Sequence, residues 1–415
     1  MKTQKLNYQI SIFPLHLQKQ CYQFVIILSS PKFTNLTKKF LYTFHSVKWK
    51  KFKYIHSFKN IIKIKQTYLY ITKGGEILLE KTLLLIDGSS LLSSSFYGNL
   101  PEEYKKAKTE DEYNKALPLL LHTSDGKYYT NGIYGFLRIM FKIIREHNPT
   151  HLAIAWDKSR NTFRKKLFPD YKAHRKAVRQ ELISQFDLTQ KFLEYIGVQQ
   201  FVFEDYEADD IIGTLSHKFS DEASIIILSK DRDVLQLIND NTSVWQINPF
   251  AAKFYKNRGI NWKNLNIPEK TILYDKNSMM DYLGITPEQV IDLKALQGDA
   301  SDNIPGIPGI GEKTAIGLIK YFGSIDEMYR QINTMTKDQE KKIKEDLKAL
   351  GVSRVSFDKI IEGKSSAELS KKLAEIKTDI PELKHVSLDS LIIHINDTRK
   401  EKALQRLEMK SLLEK

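Results

Sequence analysis

Three apolar runs in this 415-residue chain each end in an aspartate. Thr82-Leu83-Leu84-Leu85-Ile86 runs into Asp87, His151 to Trp156 into Asp157, and Ser224 to Lys230 into Asp231. A single strand-ending Asp is ordinarily a turn or a helix cap. Three of them on strands of one sheet would gather at one edge, because open α/β sheets bind ligands outside the carboxyl ends of their strands. Further acids come in short groups. Glu207, Asp209 and Asp210 open a helical stretch, Asp231 and Asp233 stand two residues apart, and Asp299 and Asp302 lie in Gly298-Asp299-Ala300-Ser301-Asp302-Asn303. The i, i+3 spacing puts Glu207 and Asp210 on the same side of a helix. Acids in a first turn also complement the helix dipole, which is their usual structural use.

Nine carboxylates in one pocket would repel each other too strongly for all to stay ionised without compensation. Divalent cations are the natural compensation, and an oxygen-only set without His or Cys favours Mg²⁺ or Mn²⁺ over Zn²⁺. Two such ions about 4 Å apart activate a water and stabilise the attacking and leaving oxygens of a phosphodiester. The acids therefore point to metal-assisted hydrolysis of nucleic acid, with Asp87, Asp157 and Asp231 at its centre.

Two other features fit that substrate. Asn303-Ile304-Pro305-Gly306-Ile307-Pro308-Gly309-Ile310-Gly311-Glu312-Lys313-Thr314-Ala315 is a Gly-rich turn opening a helix, which exposes backbone N–H groups to a phosphate without reading bases. Its alternation of Gly with Ile and Pro fits a helix-hairpin-helix. Between the second run and the acid-bearing helix, Arg160, Arg164, Lys165, Lys166, Lys172 and Arg175 are interleaved with Phe163, Phe168 and Tyr171. A charge run is usually a solvated face. Aromatic interleaving shifts it toward a platform where bases stack and cations pair phosphates.

The elements that must position these residues are legible in outline. The three runs have the form of parallel strands buried on both faces, and helical periods at 135–145 and 181–196 alternate with them. A mostly parallel central sheet flanked by helices follows. From Ser324 onward the chain is polar, Lys/Glu-rich and helical in period, as at Asp338 to Leu350.

Composition bounds the remainder. The net charge is +14, but the first 80 residues hold fourteen Lys against Glu76 and Glu80, a net +12 that leaves +2 for the other 335. That segment has no Arg, no Asp and no sustained period, and is neither Arg-rich nor amphipathic as transit peptides are. It reads as a basic extension outside the folded protein, with native synthesis expected to begin near Leu78 or Leu79. No apolar run approaches the roughly 18–20 residues that span a bilayer. Cys21 is the single cysteine, which forbids an internal disulfide and sets the expectation of a reducing, cytoplasmic location.

Taken together, residues 81 to 328 resemble the 5′-nuclease family: the 5′→3′ exonuclease domain of bacterial DNA polymerase I, phage 5′-exonucleases and flap endonucleases, which share a PIN-like fold. The resemblance implies a metal set of Asp87, Asp157, Glu207, Asp209, Asp210, Asp231, Asp233, Asp299 and Asp302. It implies a helical arch at about 160–185, with Lys172 positioning the scissile phosphate and Arg164, Tyr171 and Arg175 handling the substrate strand. It also implies duplex binding by Gly306, Gly309, Gly311, Lys313 and Thr314, with a K⁺ ion at the hairpin. The expected domains are a nuclease domain at 81–290, a helix-hairpin-helix domain at 291–395 and a tail at 396–415. The expected protein is a monomer that removes 5′ ends, flaps or RNA primers in replication and repair, alongside a DNA polymerase and a ligase. The resemblance implies a stand-alone nuclease, with no polymerase domain expected after residue 330 and extra sequence expected at 99–121 and 248–271. Lys176-Ala177-Val178-Arg179 replaces prolines of the fused relatives, and forms helix more readily. A non-catalytic binder of branched DNA would lack some acids, and a PIN-type RNA endonuclease would lack the Gly306–Thr314 segment; both count against those alternatives.

Overall fold

The computed structural model describes residues 81–352 and 354–413, together with four short strands of the first 80 residues. Those four, Ser11–Pro14, Phe24–Ile27, Leu69–Ile71 and Ile77–Leu79, pair antiparallel in chain order. The remainder of that segment lies outside the described residues, and with it most of the reading of 1–80 as a dispensable extension. Residues 81–415 form a separate unit.

The larger unit is built on six strands: β1 (Thr82–Asp87), β2 (His151–Asp157), β3 (Gln200–Phe203), β4 (Ser224–Ser229), β5 (Thr242–Ile247) and β6 (Thr271–Tyr274). Their order is β6-β5-β4-β1-β2-β3, parallel throughout except for the antiparallel edge strand β6. The acid-ending runs are the three adjacent central strands. Leu83 to Ile86 are at most 1% exposed, and each such side chain removed from water contributes about 1.5–3 kcal/mol. Helices Asn131–His147, Gln180–Ile196 and Ala208–Phe219 flank the sheet, and Phe136 stacks on the buried Trp156 of β2 at 5.8 Å.

C-terminal to the sheet the structure is helical, with Gln289–Gln297, Glu312–Phe322, Ile325–Ile332, Lys337–Ala349 and Lys364–Ala374 as its main members. The chain then returns along the sheet domain. Lys377 N–H donates to Asp210 Oδ1 at 2.9 Å, and Gly213 makes room for this crossing, since a Cβ there would stand 2.8 Å from the Lys377 carbonyl oxygen. Residues expected as a tail form helix Asp397–Arg406, which packs on Gln180–Ile196 with Leu404 fully buried. No helix among the described residues is long and apolar enough to cross a membrane.

The arch region differs from expectation. Within 160–179 only Phe163–Leu167 is helical; residues 168–179 run through turns and extended backbone, and helix resumes at Gln180–Ile196. Arg160 explains part of this, because its guanidinium donates to the Arg175 and Lys176 carbonyl oxygens at 2.8 and 2.6 Å. Those carbonyls would otherwise accept from a helix's next turn. Lys172 has φ 53°, a left-handed conformation that also stops a helix. At the far end, Arg179 is held by Glu110 and by stacking on Tyr113, with its guanidinium 3.9 Å from the ring centroid. Glu110 and Tyr113 therefore brace this strap.

Candidate active site

Asp87 closes β1 and caps the helix that follows, accepting from Ser90 N–H at 2.9 Å through one oxygen and from the Ser229 hydroxyl at 2.7 Å through the other. Burial, followed by repulsion from Asp157, pushes its carboxyl up to about 7. Asp157 closes the adjacent strand; its backbone N–H donates to Ser89 Oγ, and its Oδ1 accepts from Ala208 N–H, both at 2.9 Å. Asp231 follows β4, where its N–H donates to Ser229 Oγ and its Oδ1 accepts from Asp233 N–H. Asp209, in the first turn of Ala208–Phe219, faces all of them. Burial and the charges of Asp231, Asp87 and Asp157 hold it well above the usual carboxylate range, and its buried Oδ1 has no hydrogen-bond partner. Asp87, Asp157, Asp209 and Asp231 have no cation within ion-pair distance among the described residues.

The other five acids are paired. Both oxygens of Asp210 accept from Arg164, at 2.7 and 2.8 Å, and also from Glu207 and Lys377 N–H. This fully buried carboxylate is the helix-capping residue of the ordinary reading, with no exposed oxygen for an ion. Glu207 accepts from Lys172 Nζ at 2.8 and 2.9 Å and from the Tyr171 hydroxyl at 3.1 Å. Asp302 accepts from Arg175 and Tyr171, with Lys172 Nζ at 3.5 Å. Lys294 lies between Asp233, at 2.7 Å, and Asp299. Burial and the Asp231 charge still raise Asp233, to about 6, against the opposing pull of Lys294. For Asp299 the balance reverses: burial is outweighed by Lys294 and Ser301, and the carboxyl is lowered.

Two residues expected on the substrate strand lie inside. Arg164 is 3% exposed, and besides Asp210 its guanidinium donates to the Leu373 and Glu375 carbonyl oxygens at 2.9 and 2.8 Å. Tyr171 is buried, with its hydroxyl on Glu207 and Asp302. They join the strap to the C-terminal helices and present nothing to a ligand. Arg175 remains partly exposed. Lys172 is nearly enclosed. Burial pulls its pKa down, but Glu207, Tyr171 and Asp302 outweigh this and hold the ammonium well above its ordinary range, so it stays protonated.

The hairpin divides in the same way. Gly306 is interior: its N–H donates to Ser370 Oγ at 2.9 Å, and a Cβ would stand 2.2 Å from Gly298 N. Gly309 (φ 87°) and Gly311 are exposed with open space around them, and Gly311 caps Glu312–Phe322 without a side-chain bond. The Gly309 and Gly311 N–H groups have no partner among the described residues, and Lys313 is exposed beside them while Thr314 is half-buried.

Sequence reasoning passed over Lys294, Ser229 and the Ser89-Ser90 pair. The serines were readable as hydroxyls directly beside strand-ending acids. Lys294 had only its place five residues before Asp299.

The donor set fits a hard divalent cation: carboxylate oxygens alone, one of them buried and unpartnered, several raised by burial and mutual repulsion. No three His, Cys, Asp or Glu side chains among the described residues are gathered closely enough to enclose an ion by themselves. Mg²⁺ takes one or two carboxylates and keeps several waters, so it needs no such cage.

Known proteins provide an independent comparison. A family model described as "5′-3′ exonuclease, N-terminal resolvase-like domain" matches residues 82–265, and one described as "5′-3′ exonuclease, C-terminal SAM fold" matches residues 285–399. The chain is 36% identical over 299 residues to a 5′-3′ exonuclease of Bacillus subtilis (strain 168), covering 72% of this chain and 84% of that protein. It is 35% identical over 339 residues to DNA polymerase I of Bacillus caldotenax, covering 81% of this chain and 32% of the polymerase. Among solved structures, T5 5′-exonuclease with bound zinc ions is similar at 19% identity and a TM-score of 0.48, covering 78% of this chain and 99% of that one.

Proposed function

The chain belongs to the 5′-3′ exonuclease family, and on that footing we propose that it is a divalent-metal-dependent nuclease removing 5′ ends and 5′ flaps from DNA, RNA primers included, with 5′-phosphate and 3′-hydroxyl products. The observation that carries this reading is the convergence of Asp87, Asp157, Asp209 and Asp231 without a neutralising cation. Mg²⁺ or Mn²⁺, as a pair of ions, would be held by these four with Asp233 beside them, and supplies a water of lowered pKa together with neutralisation of the oxygens at phosphorus.

The chain's own groups do the positioning. Ser90 and Ser229 fix both oxygens of Asp87, so that carboxylate is aimed before any ligand arrives. Lys172 is a permanent ammonium beside the acids, unable to act as a base and suited to hold a non-bridging phosphate oxygen once Glu207 shares it. Arg175 serves the same end from the exposed side of the strap. The free N–H groups of Gly309 and Gly311 with Lys313 grip the duplex backbone without reading its sequence.

The test is cleavage of a 5′-labelled flap duplex, a nicked duplex and a single strand in Mg²⁺ and in EDTA. Cleavage from the 5′ side that EDTA abolishes supports the reading. Equal rates in EDTA, or no cleavage of any substrate, would overturn it.

A further inference from the structure

The connection between β5 and β6 serves neither the acid cluster nor the hairpin. From Asn248 to Pro268 it carries Lys253, Lys256, Arg258 and Lys263 and no acid; Glu269 is the first. All four cations are exposed, and none has an ion-pair partner among the described residues. This contrasts with Arg164, Lys172, Arg175 and Lys294, each closed on a carboxylate. Arg258 is held in place nonetheless, lying 3.8 Å from the Phe254 ring centroid and 5.3 Å from that of Tyr282. Phe250, at 73% exposure, is the most exposed large apolar side chain among the described residues. Its backbone is ordered: Phe250 N–H donates to Asn248 Oδ1 at 2.8 Å, and Asn248 N–H to the Lys270 carbonyl at 2.7 Å.

The segment leaves the sheet at the acid edge. β4 and β5 are parallel, with Ser229, whose hydroxyl holds Asp87, opposite Gln246. Gln246 Nε2 also donates to the carbonyl of Lys230, which precedes Asp231. On the hairpin side, Arg232 of the same loop reaches Glu312 at 3.6 Å.

We propose that residues 248–263 form a second nucleic-acid contact, in which Lys253, Lys256 and Arg258 take backbone phosphates and Phe250 stacks on an unpaired base of the substrate strand. The proposal rests on the nuclease reading above. Acid-free, unpaired cations complement a polyanion, and an exposed aromatic among them is a stacking platform. One phenylalanine offers a protein partner far less than the apolar centre of a stable interface, which buries about 800 Å² per side.

The experiment is fluorescence anisotropy in EDTA, titrating wild-type protein, Phe250→Ala and the double variant Lys253→Ala/Lys256→Ala into a labelled 5′-tailed duplex and a labelled single strand. Phe250→Ala is expected to weaken both complexes about 5- to 10-fold with an unchanged salt slope. The double variant is expected to flatten the slope of log K against log salt by roughly 1.4–1.8. Melting temperatures should not move, because these side chains are exposed, and turnover at saturating substrate in Mg²⁺ should equal wild type. Variants that melt normally yet match wild type in affinity and slope overturn the proposal and leave the nuclease reading standing. Wild-type self-association that Phe250→Ala abolishes, with DNA binding unchanged, overturns it too. Absence of cleavage by the wild type in Mg²⁺ overturns the nuclease reading itself.

Discussion

Two groups of acids have opposite surroundings. Among the described residues, Asp87, Asp157, Asp209 and Asp231 stand together with serine hydroxyls and backbone N–H groups as their only polar support. Glu207, Asp210, Asp299 and Asp302 are each closed by a lysine or arginine, with Asp233 at the boundary. The first group is left with repulsion that an ion can relieve. The second has had its repulsion relieved by the protein, and so works as scaffolding: it joins the strap, the acid-bearing helix and the C-terminal helices.

The largest expected effect comes from breaking each group in its own way. Asp209→Asn should lower turnover on a flap duplex by at least about 10³-fold, equivalent to ~4 kcal/mol, while raising the melting temperature of metal-free protein, because it removes a repelling charge. Arg164→Met should do the reverse in kind. It leaves Asp210 buried and unpaired at a cost of about 3–5 kcal/mol, read as a lower urea midpoint.

A smaller effect sharpens the contrast by pH. Asp87 and Asp233 titrate near 7 and 6 in the folded protein, against an ordinary 3.8. Between about pH 4 and 7 the unfolded chain releases those protons and the folded one keeps them, so metal-free stability falls as pH rises through that window. Mg²⁺ should therefore raise the melting temperature more at pH 8 than at pH 5.5, by about 3–6 °C when well above its Kd. Calorimetry at the two pH values checks this.

The hairpin glycines give the finest distinction. Gly306→Ala drives a Cβ into Gly298 backbone and should lower stability. Gly309→Ala meets only open space, though its positive φ adds strain of about 1–2 kcal/mol. It should mainly weaken duplex binding, and melting curves beside anisotropy separate the two.

The sheet and the unpaired acids were legible because they depend on local signals: an apolar run, then Asp, three times over. The second group was not. Arg164 and Tyr171 sit in a basic, aromatic stretch that reads as a substrate platform, but the bonds of Arg164 to Asp210, Leu373 and Glu375 and of Tyr171 to Glu207 and Asp302 turn them inward. Lys176 to Arg179 has the propensity for helix, yet Arg160 captures the carbonyls that a helix would need. Pairing of Lys172 with Glu207 across 35 residues, of Arg164 with Asp210 across 46 and of Arg175 with Asp302 across 127 leaves no periodic trace, so the sequence showed nine acids where the structure shows four in need of a partner.

That distinction is tested most directly by calorimetric titration of Mn²⁺ into DNA-free wild type, Asp87→Asn, Asp231→Asn and Asp299→Asn. The account predicts binding lost or weakened at least about tenfold in the first two variants and largely kept in Asp299→Asn. Wild-type affinity in Asp87→Asn and Asp231→Asn, or the strongest loss in Asp299→Asn, would contradict it.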